Sequence, residues 1–280
     1  ALSKDRSGKN VLDPKNKSFA FQFWINVPSQ INDVQVVSQK LSSNNHGFSI
    51  FLSQSASIEK ANLLFLASSG SNVLSASYEF PKNEFTHITA NFNRQSTGLS
   101  RLQIFKSGSL VAQSQRSATF GNLDFSSSAL LIGSGSQHSL GSLSTLPVSP
   151  KVTLSASIDD FRIYHSARDR KKIRDDYLKN PDPSEDLKIY YKFNEPSGSF
   201  TNNSVVLDSS GNSLHSTVTN FKISSRENRS GKSPVSLETT ERNIVLFPSY
   251  PSLVTLNQKL LASASQYDNN NPNLITNLVP

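Results

Sequence analysis

Residues 19–27 read Phe-Ala-Phe-Gln-Phe-Trp-Ile-Asn-Val, and every odd-numbered position in this stretch carries an apolar side chain. Successive side chains of a β-strand point to opposite faces, so an apolar residue at every second position indicates a strand with one buried face. The same alternation places Trp24, the only tryptophan of the chain, on the face opposite Phe23. We therefore predict a strand that packs one face against a core.

Further strand patterns continue from this stretch towards residue 165. Serine, asparagine and glycine residues separate them, and these residue types are typical of turns. A series of short strands at such spacing predicts an antiparallel β-sandwich or barrel. The predicted strands are residues 34–40, 47–52, 62–67, 73–78, 86–92, 100–106, 129–132 and 157–164.

One helix is predicted directly after the last of these strands. Ser166 can cap its N-terminus, and Asp169 lies in its first turn, where a negative charge is favourable. Ile173 and Tyr177 are four residues apart and share one face. Residues 180–181, Asn-Pro, end the helix, because proline cannot continue it.

The remainder of the chain divides into three parts. A second block of strand patterns covers residues 187–194, 205–207 and 216–223, and residues 224–243 are polar and predict a loop. Apolar residues at near-helical spacing in 253–264 then predict a short amphipathic arm. Two alternatives are open for this arm: it docks on a neighbouring subunit, or it folds back on its own sandwich.

The charge pattern argues against a nucleic-acid-binding protein. The chain of 280 residues has a formal net charge of +7, from 28 Lys and Arg against 21 Asp and Glu. Its one dense basic cluster, residues 168–174, is interleaved with and followed by aspartates, which favours a solvated helix face over a nucleic-acid-binding patch.

Absent residue types narrow the alternatives further. The chain has no cysteine, which excludes disulfides and thiol chemistry and favours assembly inside a cell. It also has no methionine, so we expect a processed product or a fragment of a longer polypeptide. Because no apolar run has the length needed to span a membrane, no membrane insertion is expected.

Five motifs in order resemble those of laminin-G-like, concanavalin A-like lectin/glucanase modules. They are residues 18–25, 85–92, 102–111, 130–133 and 157–164. The resemblance implies an antiparallel jelly-roll β-sandwich followed by one short helix. Two departures, a phenylalanine at position 85 where the family usually has tryptophan and Ser-Gly where it has Asn-Gly in the hairpin turn, leave the fold intact but do not support a shared ligand site.

The second block resembles the first strand and loop of the same module, at residues 189–198 and 207–212. Either a circularly permuted sandwich is completed by these strands, or they begin a second, truncated module. We favour completion, because half a module cannot bury its own apolar face. The predicted domains are therefore a sandwich over residues 1–223 and a loop with a C-terminal helical arm over residues 224–280.

A second resemblance concerns the C-terminal segment. Residues 245–280 resemble segments of virion structural proteins of tailed phages. This resemblance implies that the sandwich is part of a tail, baseplate or fibre, with other virion proteins or copies of itself as partners.

A calcium site is predicted from one strand and one loop. Alternation places Asp159 on the same face as Phe161 and Ile163, and a carboxylate on a core-facing side needs a partner or a metal ion. The family resemblance implies that this acid meets the 208–212 loop, so that Asp159, Asp208 and Asn212 bind Ca2+. The alternative is that Asp159 accepts backbone N–H groups at the strand end.

Catalytic patterns are missing. Glycoside hydrolysis needs two carboxylates that flank one bond, but Glu59, Glu79 and Glu84 are scattered near turns. The five histidines lack metal-ligand spacing, and His87, inside a predicted strand, is expected to be structural. The chain is therefore predicted to have no enzymatic activity.

Three functions remain open, in order of preference. The first is a non-enzymatic structural or adhesion module of a tailed-phage virion that contacts host-surface glycans. The second is a secreted or cell-surface carbohydrate-binding, lectin-like module with an extracellular location, and the remote third is a glycoside hydrolase. Aromatic candidates for sugar contacts are Tyr78, Phe80 and Tyr250, which lie near predicted turns.

Overall fold

The architecture was established from a computed structural model. The chain divides into two compact units, Ala1–Leu237 and Glu238–Pro280, and all described residues belong to the first. None of the helices in the described ranges is long and apolar enough to cross a membrane. The structure describes residues 10–42, 46–69, 72–95, 98–117, 120–123, 128–138, 150, 152–181, 183–193 and 205–219.

The described residues form mainly antiparallel strands with one short helix, which confirms the predicted all-β fold. Helix α1 covers Arg170–Asp176. The strands are β1 Phe19–Asn26, β2 Gln35–Leu41, β3 Gly47–Gln54, β4 Lys60–Ser69, β5 Asn72–Pro81, β6 Phe85–Arg94, β7 Leu99–Lys106, β8 Ser109–Ser117, β9 Leu131–Ile132, β10 Ser157–Tyr164, β11 Leu187–Tyr191, β12 Val205–Val206 and β13 Ser216–Thr217.

Two sheets form the sandwich. The first has six strands in the order β11-β10-β1-β6-β7-β8, and the second has five in the order β5-β4-β3-β2-β9. Strands β12 and β13 form a separate two-stranded sheet. Because β11 pairs with β10, the first strand of the second sequence block extends the six-stranded sheet. The limits of the predicted domains stay a prediction.

The core lies between the two sheets, where the alternation of β1 places it. The odd-numbered residues Phe19, Phe21, Phe23 and Ile25 are at most 2% exposed. The ring of Phe21 lies 4.4 Å from that of Phe48 on the opposite sheet, measured between centroids. Burial of a side chain of this size stabilises the fold by about 1.5–3 kcal/mol. The even-numbered residues of β1 lie on the outer face of the six-stranded sheet.

A β-bulge in β10 decides which face Asp159 occupies. Trp24 pairs with Asp159, whereas Gln22, two residues earlier, pairs with Arg162, three residues later. Two residues of β10 therefore oppose one residue of β1, and Asp160 takes a φ of 54° at this point. Cross-strand partners share a face, so Asp159 lies on the outer face beside Trp24. The expected position on the core face is wrong, because it assumed uninterrupted alternation.

Helix α1 begins later than its predicted N-cap. Asp169, not Ser166, is the N-cap, and its carboxylate accepts a hydrogen bond from the backbone N–H of Lys172 at 2.8 Å. Ile173 is fully buried beneath the helix, and Tyr177 is the C-cap. The backbone N–H of Lys172 has no acceptor within the helix, and the carboxylate of Asp169, three residues earlier, supplies one. Ser166 lies too early in the chain to reach this N–H.

The hairpin between β7 and β8 has the tight turn that the sequence predicts. Ser107 and Gly108 both have positive φ angles, 47° and 78°. This combination matches the twist of the two strands and normally requires Asn-Gly or Gly-Gly. The side chain of Arg174 approaches so closely that a Cβ atom on Gly108 would lie 2.5 Å from its Cγ. Glycine is therefore required here for both its backbone angles and its small size.

Candidate functional site

An open groove of about 710 Å3 lies on the outer face of the six-stranded sheet, over β6, β7 and β8. Its floor is formed by Asn93, Gln103, Phe105 and Leu110, whose strand registers place them on one face. Phe105 is 7% exposed, whereas Leu110 is 50% exposed. The side-chain N–H of Gln103 donates to the amide oxygen of Gln113 at 2.8 Å. The floor thus combines amide side chains with an apolar surface.

The wall of the groove is formed by residues 167–170, just before and at the start of α1. Buried Asn91 holds this segment with two hydrogen bonds: its N–H donates to the carbonyl oxygen of Arg168 at 2.6 Å, and its oxygen accepts the backbone N–H of Arg168 at 3.2 Å. The guanidinium of Arg168 lies 4.3 Å from the centre of the Tyr164 ring and forms an ion pair with Asp176. These contacts hold both the backbone and the side chain of Arg168, which fixes the position of the wall.

Arg162 fixes the segment that follows α1. Its guanidinium is fully buried and donates to the carbonyl oxygens of Asp176 at 2.9 Å and Lys179 at 2.6 Å. It also forms an ion pair with buried Asp160 and stacks 5.0 Å from the centre of the Tyr190 ring. A buried charge is tolerated only when it is paired and hydrogen-bonded in this way. Arg162 therefore anchors the element that forms the groove wall.

An aromatic cluster lies at the same, C-terminal end of α1. The ring of His87 lies 5.3 Å from that of Trp24 and 5.5 Å from that of Tyr177, and the indole N–H of Trp24 donates to the carbonyl oxygen of Tyr177 at 3.1 Å. His87 is 1% exposed. Burial, with a smaller contribution from the positive charge of Arg162, lowers the pKa of His87 to about 3. The structural role expected for His87 agrees with this environment.

The outer face of the five-stranded sheet is covered in part by the chain itself. His138 is fully buried, and its Nδ1 and Nε2 lie 2.9 Å and 2.8 Å from the hydroxyl oxygens of Ser49 and Ser68. Three residues earlier, a Cβ atom on Gly135 would lie 2.6 Å from the side-chain oxygen of Gln39. The backbone therefore approaches this face closely, and the open groove lies on the other sheet.

Two of the predicted calcium ligands, Asp208 and Asn212, lie in one tight turn. One carboxylate oxygen of Asp208 accepts the backbone N–H groups of Tyr190 and Ser210, and the other accepts the Ser210 hydroxyl and the Leu214 N–H, all at 2.8–3.0 Å. The amide N–H of Asn212 donates to backbone carbonyls of β11. Asp208 therefore organises this turn and connects it to β11.

The third predicted ligand, Asp159, accepts the backbone N–H of Asp160 at 2.9 Å, as the alternative for that residue requires. Calcium needs six to eight oxygen ligands. Within the described ranges, no group of three or more His, Asp or Glu side chains is placed to hold a metal ion. Hydrogen bonds from the protein already account for both carboxylate oxygens of Asp208. Calcium binding by Asp159, Asp208 and Asn212 stays a prediction.

Two of the aromatic residues selected from the sequence, Tyr78 and Phe80, do not line the groove. Phe80 is fully buried in the core, and Tyr78 is partly buried against it, whereas Tyr250 lies outside the described residues. Gln103, which lines the groove, and its hydrogen-bond partner Gln113 were missed. Their only signal in the sequence is polar residues at positions 101 and 103 of β7 and 113 and 115 of β8, a pattern that equally fits a solvated strand face.

Comparison with protein families gives one match. A laminin G model described as the concanavalin A-like lectin/glucanases superfamily matches residues 6–174, more than half of the chain. No curated protein matches the sequence.

Several solved structures are similar to the chain. A putative carbohydrate-binding protein from Bacteroides ovatus is 16% identical, with a TM-score of 0.50 over 77% of this chain and 54% of that protein, so the chain spans about half of its length. Domain 4 of an extracellular arabinanase from Geobacillus stearothermophilus, solved with arabinotriose, is 15% identical, with a TM-score of 0.39 over 59% of this chain and 68% of that one. Tailspike protein 2 of the Escherichia coli O157:H7 bacteriophage CAB120 is 12% identical, with a TM-score of 0.38 over 64% of this chain and 24% of the tailspike.

Proposed function

Because the chain belongs to the concanavalin A-like lectin/glucanase superfamily, we propose that it is a carbohydrate-binding module that holds a glycan in the groove over β6, β7 and β8. The observation that carries this proposal is the composition of the groove floor. Asn93 and Gln103 present amides that both donate and accept hydrogen bonds, as paired sugar hydroxyls require. Phe105 and Leu110 add an apolar surface for the C–H face of a sugar ring.

The groove favours binding over hydrolysis. Glycoside hydrolysis requires two carboxyl groups on either side of the scissile bond. Asp169 is the one carboxylate among the described lining residues, and one of its oxygens already caps α1 by accepting the N–H of Lys172. We therefore propose a non-enzymatic module, and we expect a bound oligosaccharide to stay intact on prolonged incubation with the protein.

A glycan array tests the proposal. The wild-type protein should bind a defined set of glycans, and the double substitution Asn93→Ala with Gln103→Ala should abolish that binding. Asn62→Ala is the matched control, since Asn62 is a partly exposed asparagine on β4 of the other sheet. Absence of binding to any glycan, or equal binding by the double variant, would overturn the proposal.

The wider setting stays a prediction. The virion role rests on residues 245–280, which lie outside the described residues. It requires that the protein form stable multimers or bind virion proteins, and that deletion of residues 245–280 weaken this association. A monomer in sedimentation that is indifferent to the deletion would favour a lectin-like module at a cell surface or in the extracellular space.

A further inference from the structure

Three arginines, Arg101, Arg170 and Arg174, lie in or beside the groove. Arg170 lines the wall, and Arg174, one helical turn later, extends from the same side of α1 and packs against the turn between β7 and β8. Arg101 lies at the other end, because it pairs with Asn93 on the face that forms the floor. Directly paired side chains on one face have Cβ atoms about 4.5–5.5 Å apart, so Arg101 is within reach of a ligand that contacts Asn93.

These three guanidinium groups are not neutralised within the described part of the chain. The ion pairs found there involve other cations, among them Arg168 with Asp176 in the groove wall and Lys171 with Asp175 on the exposed side of α1. The Nε atom of Arg101 is buried and has no hydrogen-bond partner among the described residues. The groove is therefore bordered by three guanidinium groups that form no ion pair within the described residues.

The opposing negative charge is small. Asp169 is the one carboxylate among the described lining residues, and its role as N-cap directs one oxygen to the backbone of α1. The whole chain carries a formal net charge of +7. A groove with positive charge along its border on a positively charged protein attracts anions and repels cations at moderate ionic strength.

We propose that the groove selects acidic glycans, whose carboxylate or sulfate groups are bound by Arg101, Arg170 and Arg174. The inference rests on the proposed carbohydrate-binding function and specifies its ligand class. From Arg101 to Phe105 along β7 the floor extends about 13 Å, at about 3.3 Å per residue. An oligosaccharide laid along β7 therefore passes from Arg101 to the helix that carries Arg170 and Arg174. Sugar hydroxyls contact the amides of the floor, and the acid groups contact the arginines.

Matched pairs of glycans that differ only in charge provide the test. Affinities are measured by calorimetry for polygalacturonate against its fully methyl-esterified form, which tests carboxylates, and for dextran sulfate against dextran, which tests sulfates. The acidic member of at least one pair should bind at least tenfold more tightly than its neutral counterpart, and sodium chloride should weaken that binding. Arg101→Gln and Arg170→Gln should each lower the affinity for the acidic glycan by about fivefold to tenfold.

Lys60→Gln is the control for loss of one positive charge, because Lys60 is exposed on β4 of the other sheet. It should change the affinity by less than about twofold. An equal loss in Lys60→Gln and Arg101→Gln would mean non-specific attraction of a polyanion and would overturn the inference. If neutral glycans bind as tightly as acidic ones and Asn93→Ala with Gln103→Ala abolishes both, the charge inference fails while the proposed function stands. If no glycan of either kind binds, both fail.

Discussion

Substitution of His87 by phenylalanine should remove part of the acid sensitivity of this fold. His87 is 1% exposed and has aromatic neighbours, Trp24 and Tyr177, so a phenyl ring keeps the ring contacts and cannot be protonated. Burial, and secondarily the charge of Arg162, lowers the pKa of His87 to about 3 in the folded protein, against 6.5 for an unperturbed histidine. Below pH 6.5 the unfolded chain therefore binds a proton that the folded protein rejects.

The size of the effect follows from this difference in pKa. Stability rises with pH wherever the unfolded state binds more protons, so the contribution of His87 is complete above about pH 6.5 and is lost as pH falls towards 3. A group with these two pKa values weakens the fold by about 2 kcal/mol at pH 5 and about 3 kcal/mol at pH 4, relative to a residue that does not titrate.

Urea denaturation measures this difference directly. Trp24, the only tryptophan, lies inside the cluster and reports unfolding by its fluorescence. The free energy of unfolding is measured from pH 7 to pH 4.5 for the wild type, for His87→Phe and for His46→Phe, a control at a partly exposed position in the loop before β3. Wild type and His46→Phe should lose stability in parallel, while His87→Phe loses about 2 kcal/mol less between pH 7 and pH 5. Parallel curves for wild type and His87→Phe would refute the reasoning.

Three further outcomes are expected. Arg162→Met leaves the buried carboxylate of Asp160 without its cation and should lower the free energy of urea unfolding by about 3–5 kcal/mol, whereas Lys171→Met, at an exposed ion pair, should leave it nearly unchanged. Asp208→Ala removes the acceptor of four hydrogen bonds and should cost about 2–4 kcal/mol in the same assay. The calcium prediction requires that EDTA lower the thermal midpoint of the wild type but not that of Asp159→Asn; equal wild-type midpoints with and without EDTA would exclude it.

The strands were predictable because burial of one face produces an apolar residue at every second position of the sequence. The alternation in residues 19–27 fixed β1 and the side of it that faces the core, and the predicted strand 157–164 coincides with β10. The bulge was not predictable, since an extra residue in one strand is visible only against its partner. That single extra residue places Asp159 on the outer face instead of the core face. The argument that a core-facing carboxylate needs a partner or a metal ion therefore does not apply to it.

The groove was not predictable for a related reason. Asn91 and Arg168, which join the floor to the wall, are 77 residues apart, and no local pattern records that they meet. A polar residue at every second position shows that a strand face is not in the core. It does not show whether that face is exposed, covered by a helix or shaped into a groove. On the six-stranded sheet, α1 covers one part of the outer face and the groove lies on another.

Helix α1 covers part of the outer face of the six-stranded sheet, and the way it is held there explains why the open part of that face has a defined shape. An apolar interface between α1 and the sheet would contribute more stability for its area, but apolar contacts are non-directional and tolerate sliding. Arg162 instead binds carbonyl oxygens of two particular residues at the end of α1, and Asn91 binds both backbone groups of one residue at its start. The polar contacts therefore fix the helix at both ends relative to β6 and β10. A site with one wall on the helix and its floor on the sheet depends on that fixed relation, so variants of Asn91 should change glycan affinity even though its side chain lies beneath the groove wall.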